Sequence, residues 1–202
     1  QDVWVSGCDI ANGDDSICMK SPAANVLVEN CTVRQGNGLV VGTSDFANFS
    51  NITFRNCTAS GTQFGCHIKF KDAQTGFCHG ITFEDIIIEN PKAYAIGIDQ
   101  NGQAAHSGNG SVNKHSTAGT TTGSAAKVAS SVEIHNVFFH NIRGTASVGG
   151  LFICNGGALA CRNVSLVDVY LNTTQGGCLF EHVYGRGQDV TPQSCIPPSN
   201  LP

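Results

Sequence analysis

The sequence predicts an all-β chain folded as a right-handed parallel β-helix, a β-solenoid of about six rungs. Apolar and polar residues alternate over short segments, no long segment has a helical period, and one six-residue pattern recurs along the chain. The copies start 23 to 51 residues apart. This uneven spacing suits a β-helix, because its rungs stack closely while its turns vary in length. A β-sandwich is the competing fold, but its strands would not normally keep one pattern through six copies.

Each copy of the pattern predicts the first strand of a rung. It begins with an aliphatic residue, has a second apolar residue two positions on, and ends in a cysteine or an aliphatic residue. The copies lie at residues 3–8, 26–31, 52–57, 81–86, 132–137 and 164–169. A second apolar strand follows each copy, at residues 16–21, 38–43, 66–71, 94–99, 151–154 and 178–183.

The whole chain, residues 1–202, reads as a single β-helix domain, and its length suffices for one sizeable core. Residues from about 100 to 131 are nearly all small or polar, which predicts a long loop inserted between rungs. His106 and His115 in this loop are interpreted as solvated side chains. Because Gln1 opens directly in strand-like sequence, we expect the domain to be incomplete at its N-terminus.

Composition limits the partners of the protein. Only 13% of the residues are charged and the formal net charge is −4, which argues against nucleic acid. No apolar run approaches the ~20 residues of a membrane span. No cysteine or histidine spacing suggests a metal, and nothing suggests a cofactor or an oligomer, so we expect a monomer. Ten cysteines and seven Asn-x-Ser/Thr sequons favour a secreted, extracellular glycoprotein.

Three cysteines hold the same position in successive copies of the pattern. Cys8, Cys31 and Cys57 are therefore expected in one column, with neighbours about 4.8 Å apart. Two of them pair as a disulfide and leave the third free, or all three are buried thiols that act as small apolar residues.

The remaining disulfide candidates lie near the C-terminus. Cys154 and Cys161 flank a short glycine-containing loop that a disulfide would close. Cys178 and Cys195 are expected to pin a tail of about residues 178–202, where prolines from Pro192 onwards argue against further sheet.

Asp14 and Asp15 are the first candidates for chemistry, because adjacent carboxylates repel each other and are costly to bury at the head of an apolar strand. The alternative is an ordinary turn, since Asn-Gly-Asp-Asp consists of turn-forming residues. In stacked rungs, the aspartates would share one face with four further side chains, namely Asn37, His67, Lys69 and Tyr94. Such a face suits an acidic sugar polymer. Alternatively, His67 and Lys69 belong to an ordinary solvent face, and Asn37 to a turn or an asparagine ladder.

These segments carry a family resemblance. Residues 13–20 resemble the Asp-Asp block of glycoside hydrolase family 28, the polygalacturonases and their relatives. Residues 36–43 resemble its Gly-His-Gly block, 67–69 its Arg-Ile-Lys block, and 94–100 its tyrosine-bearing strand. The resemblance spans nearly the whole chain and implies a metal-free, secreted enzyme that hydrolyses α-linked galacturonan in pectin.

By this resemblance, Asp14 is the general acid and Asp15 helps to activate water in an inverting reaction. Both aspartates can serve one cleft only if the backbone turns between them, since neighbours on a strand face opposite ways. Lys69 would pair with a substrate carboxylate and Tyr94 would position the sugar. Asn37 and His67 occupy two further substrate-binding positions.

The chain departs from the family pattern at three places. Asn37 stands where the family has histidine, His67 stands where it has arginine, and the third acid belongs upstream of Gln1. These departures favour an exo-acting or rhamnogalacturonan-type specificity, and this segment alone is not expected to turn over normally. The alternatives are a non-catalytic pectin-binding solenoid and, less favoured, a pectate lyase, which would need a calcium site and an arginine base.

Overall fold

The computed structural model describes residues 1–42, 46–71, 73–100 and 129–199. Within these residues the chain forms thirteen β-strands and two short 3-10 helices, Gly157–Leu159 and Gln193–Cys195. The strands are β1 Val3–Ser6, β2 Asp9–Ala11, β3 Ile17–Met19, β4 Ala23–Glu29, β5 Thr32–Arg34, β6 Leu39–Gly42, β7 Phe46–Ser60, β8 Phe64–Lys69, β9 Thr75–Glu89, β10 Tyr94–Asp99, β11 Ser131–Ile153, β12 Cys161–Glu181 and β13 Val183–Thr191.

The strands form one continuous coil of parallel pairs, which confirms the predicted parallel β-helix. One row stacks β1, β4, β7, β9, β11, β12 and β13 in that order. A second row stacks β3, β6, β8 and β10 against the end of β11. The longest strands bend through corners and so contribute to more than one row, which is why they exceed the usual strand length.

The structure corrects the register predicted for the fifth copy of the pattern. Ile81 pairs with Val137, whereas Val132, the predicted partner, pairs with Gly76. The segment 132–142 contains the pattern twice, five residues apart, because each rung has two corners at that spacing. Asn136 and Asn141 occupy those corners with φ of 57° and 49°.

The corners are occupied mainly by asparagine, aspartate and glycine in the left-handed region, which these residues adopt more readily than others. Several corner asparagines donate their side-chain amide to the corner residue of the preceding rung. Asn51 donates to Asn25 at 2.9 Å, and Asn141 donates to Asp85 at 2.6 Å. These ladders add side-chain hydrogen bonds between successive rungs at the corners.

Phenylalanines stack along the interior from rung to rung. The Phe83 ring lies parallel to Phe54 at 5.0 Å and to Phe139 at 5.3 Å, and Phe152 meets Phe139 edge-on. These rings are fully buried. The column joins three rungs through one apolar core and holds the rungs in register.

Both predicted disulfides, Cys154–Cys161 and Cys178–Cys195, are formed. The three column cysteines are free, so the disulfide alternative was wrong. Cys31 and Cys57 are buried thiols as the second alternative predicted, whereas Cys8 is only half-buried. Burial raises the pKa of Cys57 to about 11, so this thiol stays neutral.

The C-terminal tail contains a strand that the sequence analysis did not predict. β13 pairs in parallel with β12 through partners such as Val169 and Val190. The expectation that prolines end the sheet was wrong for these residues, because the first proline of the tail, Pro192, comes only after β13 ends. Most of the predicted inserted loop, residues 101–128 with His106 and His115, lies outside the described residues.

Candidate active site

Asp14 and Asp15 lie in a turn between β2 and β3 and belong to neither strand. Asn12 holds the turn by donating its amide to the Asp15 carbonyl at 3.0 Å, and it accepts a hydrogen bond from the Ser16 hydroxyl at 3.1 Å. The Asp15 backbone N–H also donates to Asp14 Oδ1 at 2.8 Å. Because the backbone turns here, the two consecutive carboxylates are not forced to opposite faces.

Asn37, one rung further on, joins the two carboxylates. Its Nδ2 donates to Oδ1 of Asp14 and to Oδ1 of Asp15, each at 3.0 Å. Its backbone N–H donates to the Asp14 carbonyl at 2.8 Å. Asn37 is therefore part of the site and fixes both carboxylates on one side of the turn.

The glycines beside Asn37 allow this close approach. A Cβ on Gly36 would lie 2.2 Å from Asn12 Oδ1, so no other residue fits against the turn. Gly38 has a φ of +91°, and a Cβ there would lie 2.1 Å from the Phe64 carbonyl oxygen. The Gly-Asn-Gly sequence thus places the amide within reach of both aspartates.

Lys69, at the end of β8, forms an ion pair with Asp15. Its Nζ lies 2.6 Å from Asp15 Oδ1, and both side chains are only 14% exposed. A second ammonium, Lys20 Nζ, lies 3.7 Å from Asp15 Oδ2 and is half exposed. Asp15 therefore faces two cations, while Asp14 remains exposed.

The pKa of Asp15 results from opposing effects. Burial raises it, but the hydrogen bonds from Lys69 and Asn37 and the charge of Lys69 together outweigh burial. The pKa of Asp15 is therefore below its usual value. This carboxyl group is ionised at neutral pH and can accept a proton.

His67 and Tyr94 are buried beneath the surface. His67 is fully buried against the ring of Phe64, at 4.1 Å between centroids, and Tyr94 packs on the same ring at 4.7 Å. Burial, followed by the nearby Lys69 charge, lowers the pKa of His67 to about 3, so the ring is neutral. The structure brings both residues beside the site but does not support their direct contact with a substrate.

Lys20 and Asn12 also belong to the site, but they were not predicted from the sequence. Alternation through β3 could have indicated Lys20. Ile17 and Met19 pack on the core, so the next position, Lys20, is expected to face outwards. Asn12 carries no comparable signal, since its role depends on the turn geometry. Within the described ranges no group of acidic, histidine and cysteine residues could hold a metal. The same ranges contain no helix long and apolar enough to cross a membrane.

The sequence profile of the glycosyl hydrolases family 28 matches residues 1–183. A polygalacturonase from Brassica napus is 31% identical over 209 residues, covering 97% of this chain and 48% of that protein. An exopolygalacturonase from Platanus acerifolia is 26% identical over 186 residues, covering 87% of this chain and 44% of that protein. The chain belongs to glycosyl hydrolases family 28 and spans less than half the length of these relatives.

The fold also matches a solved structure. Endopolygalacturonase I from Stereum purpureum, determined in complex with two galacturonate molecules, superposes with a TM-score of 0.68. The match covers 93% of this chain and 52% of that chain at 17% sequence identity. It confirms the right-handed parallel β-helix.

Proposed function

We propose that the full protein is a pectin-degrading glycoside hydrolase of the polygalacturonase type, acting on α-linked galacturonan. The observation that carries the proposal is the pair of carboxylates, Asp14 and Asp15, that share the Asn37 amide beside a largely buried lysine. Two carboxylic acids with different environments are what glycoside hydrolysis requires. Membership of the family supports the same reaction class.

In the proposed reaction, the two carboxylates have different roles. Asp14, the exposed member, protonates the glycosidic oxygen as the C1–O bond breaks. Asp15, held ionised by Lys69, helps to remove a proton from the water that attacks C1 from the opposite side. The reaction then inverts the configuration at C1.

The spacing of the two carboxylates limits the role of Asp15. Both Oδ1 atoms lie 3.0 Å from one nitrogen, so they cannot be more than twice that distance apart. Inverting enzymes usually separate acid and base by about 6.5–9.5 Å. We therefore propose that Asp15 activates water together with the third carboxylate that the family resemblance places one rung upstream.

Substrate recognition is proposed to rest on cations and on one amide. Lys69 and Lys20 provide positive charge for the carboxylate of an acidic sugar, and Asn37 provides an uncharged donor. Beside them, His67 and Tyr94 pack on the Phe64 ring as a buried aromatic cluster, which we propose fixes the position of β8.

The finer specificity is proposed to be exo-acting or directed to rhamnogalacturonan. His67, which is neutral and buried, stands where the family pattern has an arginine cation. Asn37, with an uncharged amide, stands where the pattern has an ionisable histidine ring. The same two features favour the second candidate, a solenoid that binds pectin without cutting it. We further propose that the protein is secreted, since it holds two disulfides and seven sequons, and that it acts as a monomer.

The test uses the full-length protein with polygalacturonan and rhamnogalacturonan as separate substrates. Reducing ends and ultraviolet absorbance would be recorded together, because a lyase creates an unsaturated, absorbing product and a hydrolase does not. We expect reducing ends without absorbance, and a slow fall in viscosity if the enzyme acts from chain ends. Absorbance that rises with the reducing ends would overturn the hydrolase proposal. Binding without any product would establish the non-catalytic solenoid.

A further inference from the structure

Three sequon asparagines are used as structural donors in the corner ladders. In each of them the side-chain Nδ2, the atom to which an N-linked glycan is attached, donates a hydrogen bond to the preceding rung. The bonds are Asn51 to Asn25 at 2.9 Å, Asn56 to Asn30 at 2.6 Å and Asn163 to Asn136 at 2.7 Å.

A glycan on one of these ladder asparagines would disturb the stack. The three residues have φ of 49–52°, so each lies at a left-handed corner whose side chain runs towards the rung before it. Adjacent rungs are only about 4.8 Å apart. A sugar on Nδ2 would replace one of its two hydrogens, so it would crowd the adjacent rung at the ladder contact or displace the hydrogen bond between the rungs.

Asn172 is in a different position. Like the three ladder asparagines, it is exposed, but its backbone is not left-handed and its side chain has no hydrogen-bond partner among the described residues. It pairs in register with Thr145 on one side. Pairing of β12 with β13 ends at Tyr170 and Thr191, so the described part of the sheet leaves the other side of Asn172 open.

We propose that Asn172, in the sequon Asn172-Thr173-Thr174, carries an N-linked glycan, whereas Asn51, Asn56 and Asn163 remain unmodified. The co-reactant is a lipid-diphosphate-linked oligosaccharide. Nδ2 loses one proton and bonds to C1 of the first N-acetylglucosamine, the bond from C1 to the phosphate oxygen breaks, and the lipid diphosphate leaves. The inference rests on the proposed passage through a secretory pathway and is independent of the hydrolase chemistry.

The test is the mass of the full-length protein secreted from a eukaryotic host with a leader supplied by the host, before and after removal of N-glycans. Deglycosylation in heavy-oxygen water would mark each formerly occupied asparagine. Thr174→Ala removes the Asn172 sequon and keeps the asparagine. Ser165→Ala removes the Asn163 sequon and keeps its ladder bond. Thr174→Ser, which keeps the sequon, controls for the change at Thr174.

We expect the label at Asn172, loss of one glycan in Thr174→Ala, retention in Thr174→Ser, and an unchanged glycan mass in Ser165→Ala. An unlabelled Asn172, or a label at any of the three ladder asparagines, would overturn the proposal. Because the readout is mass and the leader is supplied, neither result depends on pectin hydrolysis or on the natural route of secretion.

Discussion

Asp15 is a carboxylate whose charge depends on its neighbours. Burial disfavours its ionised form, and hydrogen bonds from Lys69 and Asn37 more than compensate. Asp14, one residue earlier, is exposed and accepts hydrogen bonds from the Asn37 amide and the Asp15 backbone N–H, but from no lysine among the described residues. At the scale of single residues, this difference is what distinguishes a proton acceptor from a proton donor in the proposed reaction.

Replacing Lys69 by methionine should raise the pKa of Asp15, because the hydrogen bond and charge that lower it are lost while the burial remains. The ionised form would then persist only at higher pH. We expect the acid limb of the kcat/KM profile to move to higher pH. The measurement is the pH–rate profile of the full-length enzyme, with Arg162→Met, an exposed cation on a later rung, as the control. An acid limb that stays in place in Lys69→Met would contradict this assignment.

His67 tests whether a buried neighbour of the site contacts substrate. Both of its ring nitrogens are buried without a hydrogen-bond partner among the described residues. Replacing such a group by an apolar one of similar shape is nearly neutral or stabilising. We therefore expect His67→Phe to keep or raise the thermal midpoint and to leave KM unchanged, whereas Lys69→Met raises KM. A raised KM with an intact fold would show that His67 binds the substrate directly.

At the scale of the structural elements, the corner ladders hold successive turns together. Asn141 illustrates this, because it combines a left-handed φ of 49° with a hydrogen bond to Asp85 in the preceding rung. Glycine at this corner would lose the bond, while alanine would lose the bond and also oppose the backbone conformation.

Asn141→Gly should therefore lower the free energy of unfolding by about 1 kcal/mol, and Asn141→Ala by roughly 2–3 kcal/mol. Urea denaturation of the two variants beside the parent protein would measure both values. Equal losses in the two variants would show that the corner conformation contributes nothing.

The same corners explain which elements could be predicted from sequence. Alternation predicted the strands of both rows except β13, since each strand has one side in the core. Register was harder to predict, because a rung has two corners five residues apart and the pattern fits at both Val132 and Val137. Only the neighbouring rung, where Ile81 lies against Val137, selects between them. β13 was missed because the prolines that follow it, from Pro192 onwards, were taken to exclude sheet from the whole tail, including the nine residues of β13 before them.

At the scale of the whole molecule, the phenylalanine column joins rungs that are distant in sequence. Phe83 is fully buried between two parallel rings, so its removal would leave a cavity at the centre of the solenoid. We expect Phe83→Ala to cost about 3–5 kcal/mol of unfolding free energy, and Phe83→Leu to cost less because it fills more of the space. Thermal or urea unfolding would test this order, and a smaller loss for alanine than for leucine would contradict it.

The site was predictable to the extent that stacking alone determines it. Asp14, Asp15, Asn37 and Lys69 come from three rungs, and the structure brings them together as the register predicts. The burial of His67 and Tyr94 was not predictable, because it depends on the Phe64 ring, whose position follows from side-chain packing and not from strand period. Asn12 was missed for a similar reason, since its contacts exist only in the folded turn.

Asp14 is proposed to donate a proton during hydrolysis, and replacing it by asparagine tests this role. The rate at which reducing ends are released from galacturonan would be measured for the full-length enzyme, for Asp14→Asn and for Asp9→Asn. Asp9 is an exposed aspartate on β2 that forms an ion pair with Arg34. Its replacement controls for the loss of one surface carboxylate. We expect Asp14→Asn to lower kcat by about 10²–10⁴-fold and Asp9→Asn to leave it unchanged. A folded Asp14→Asn enzyme with the parent rate would contradict the claim.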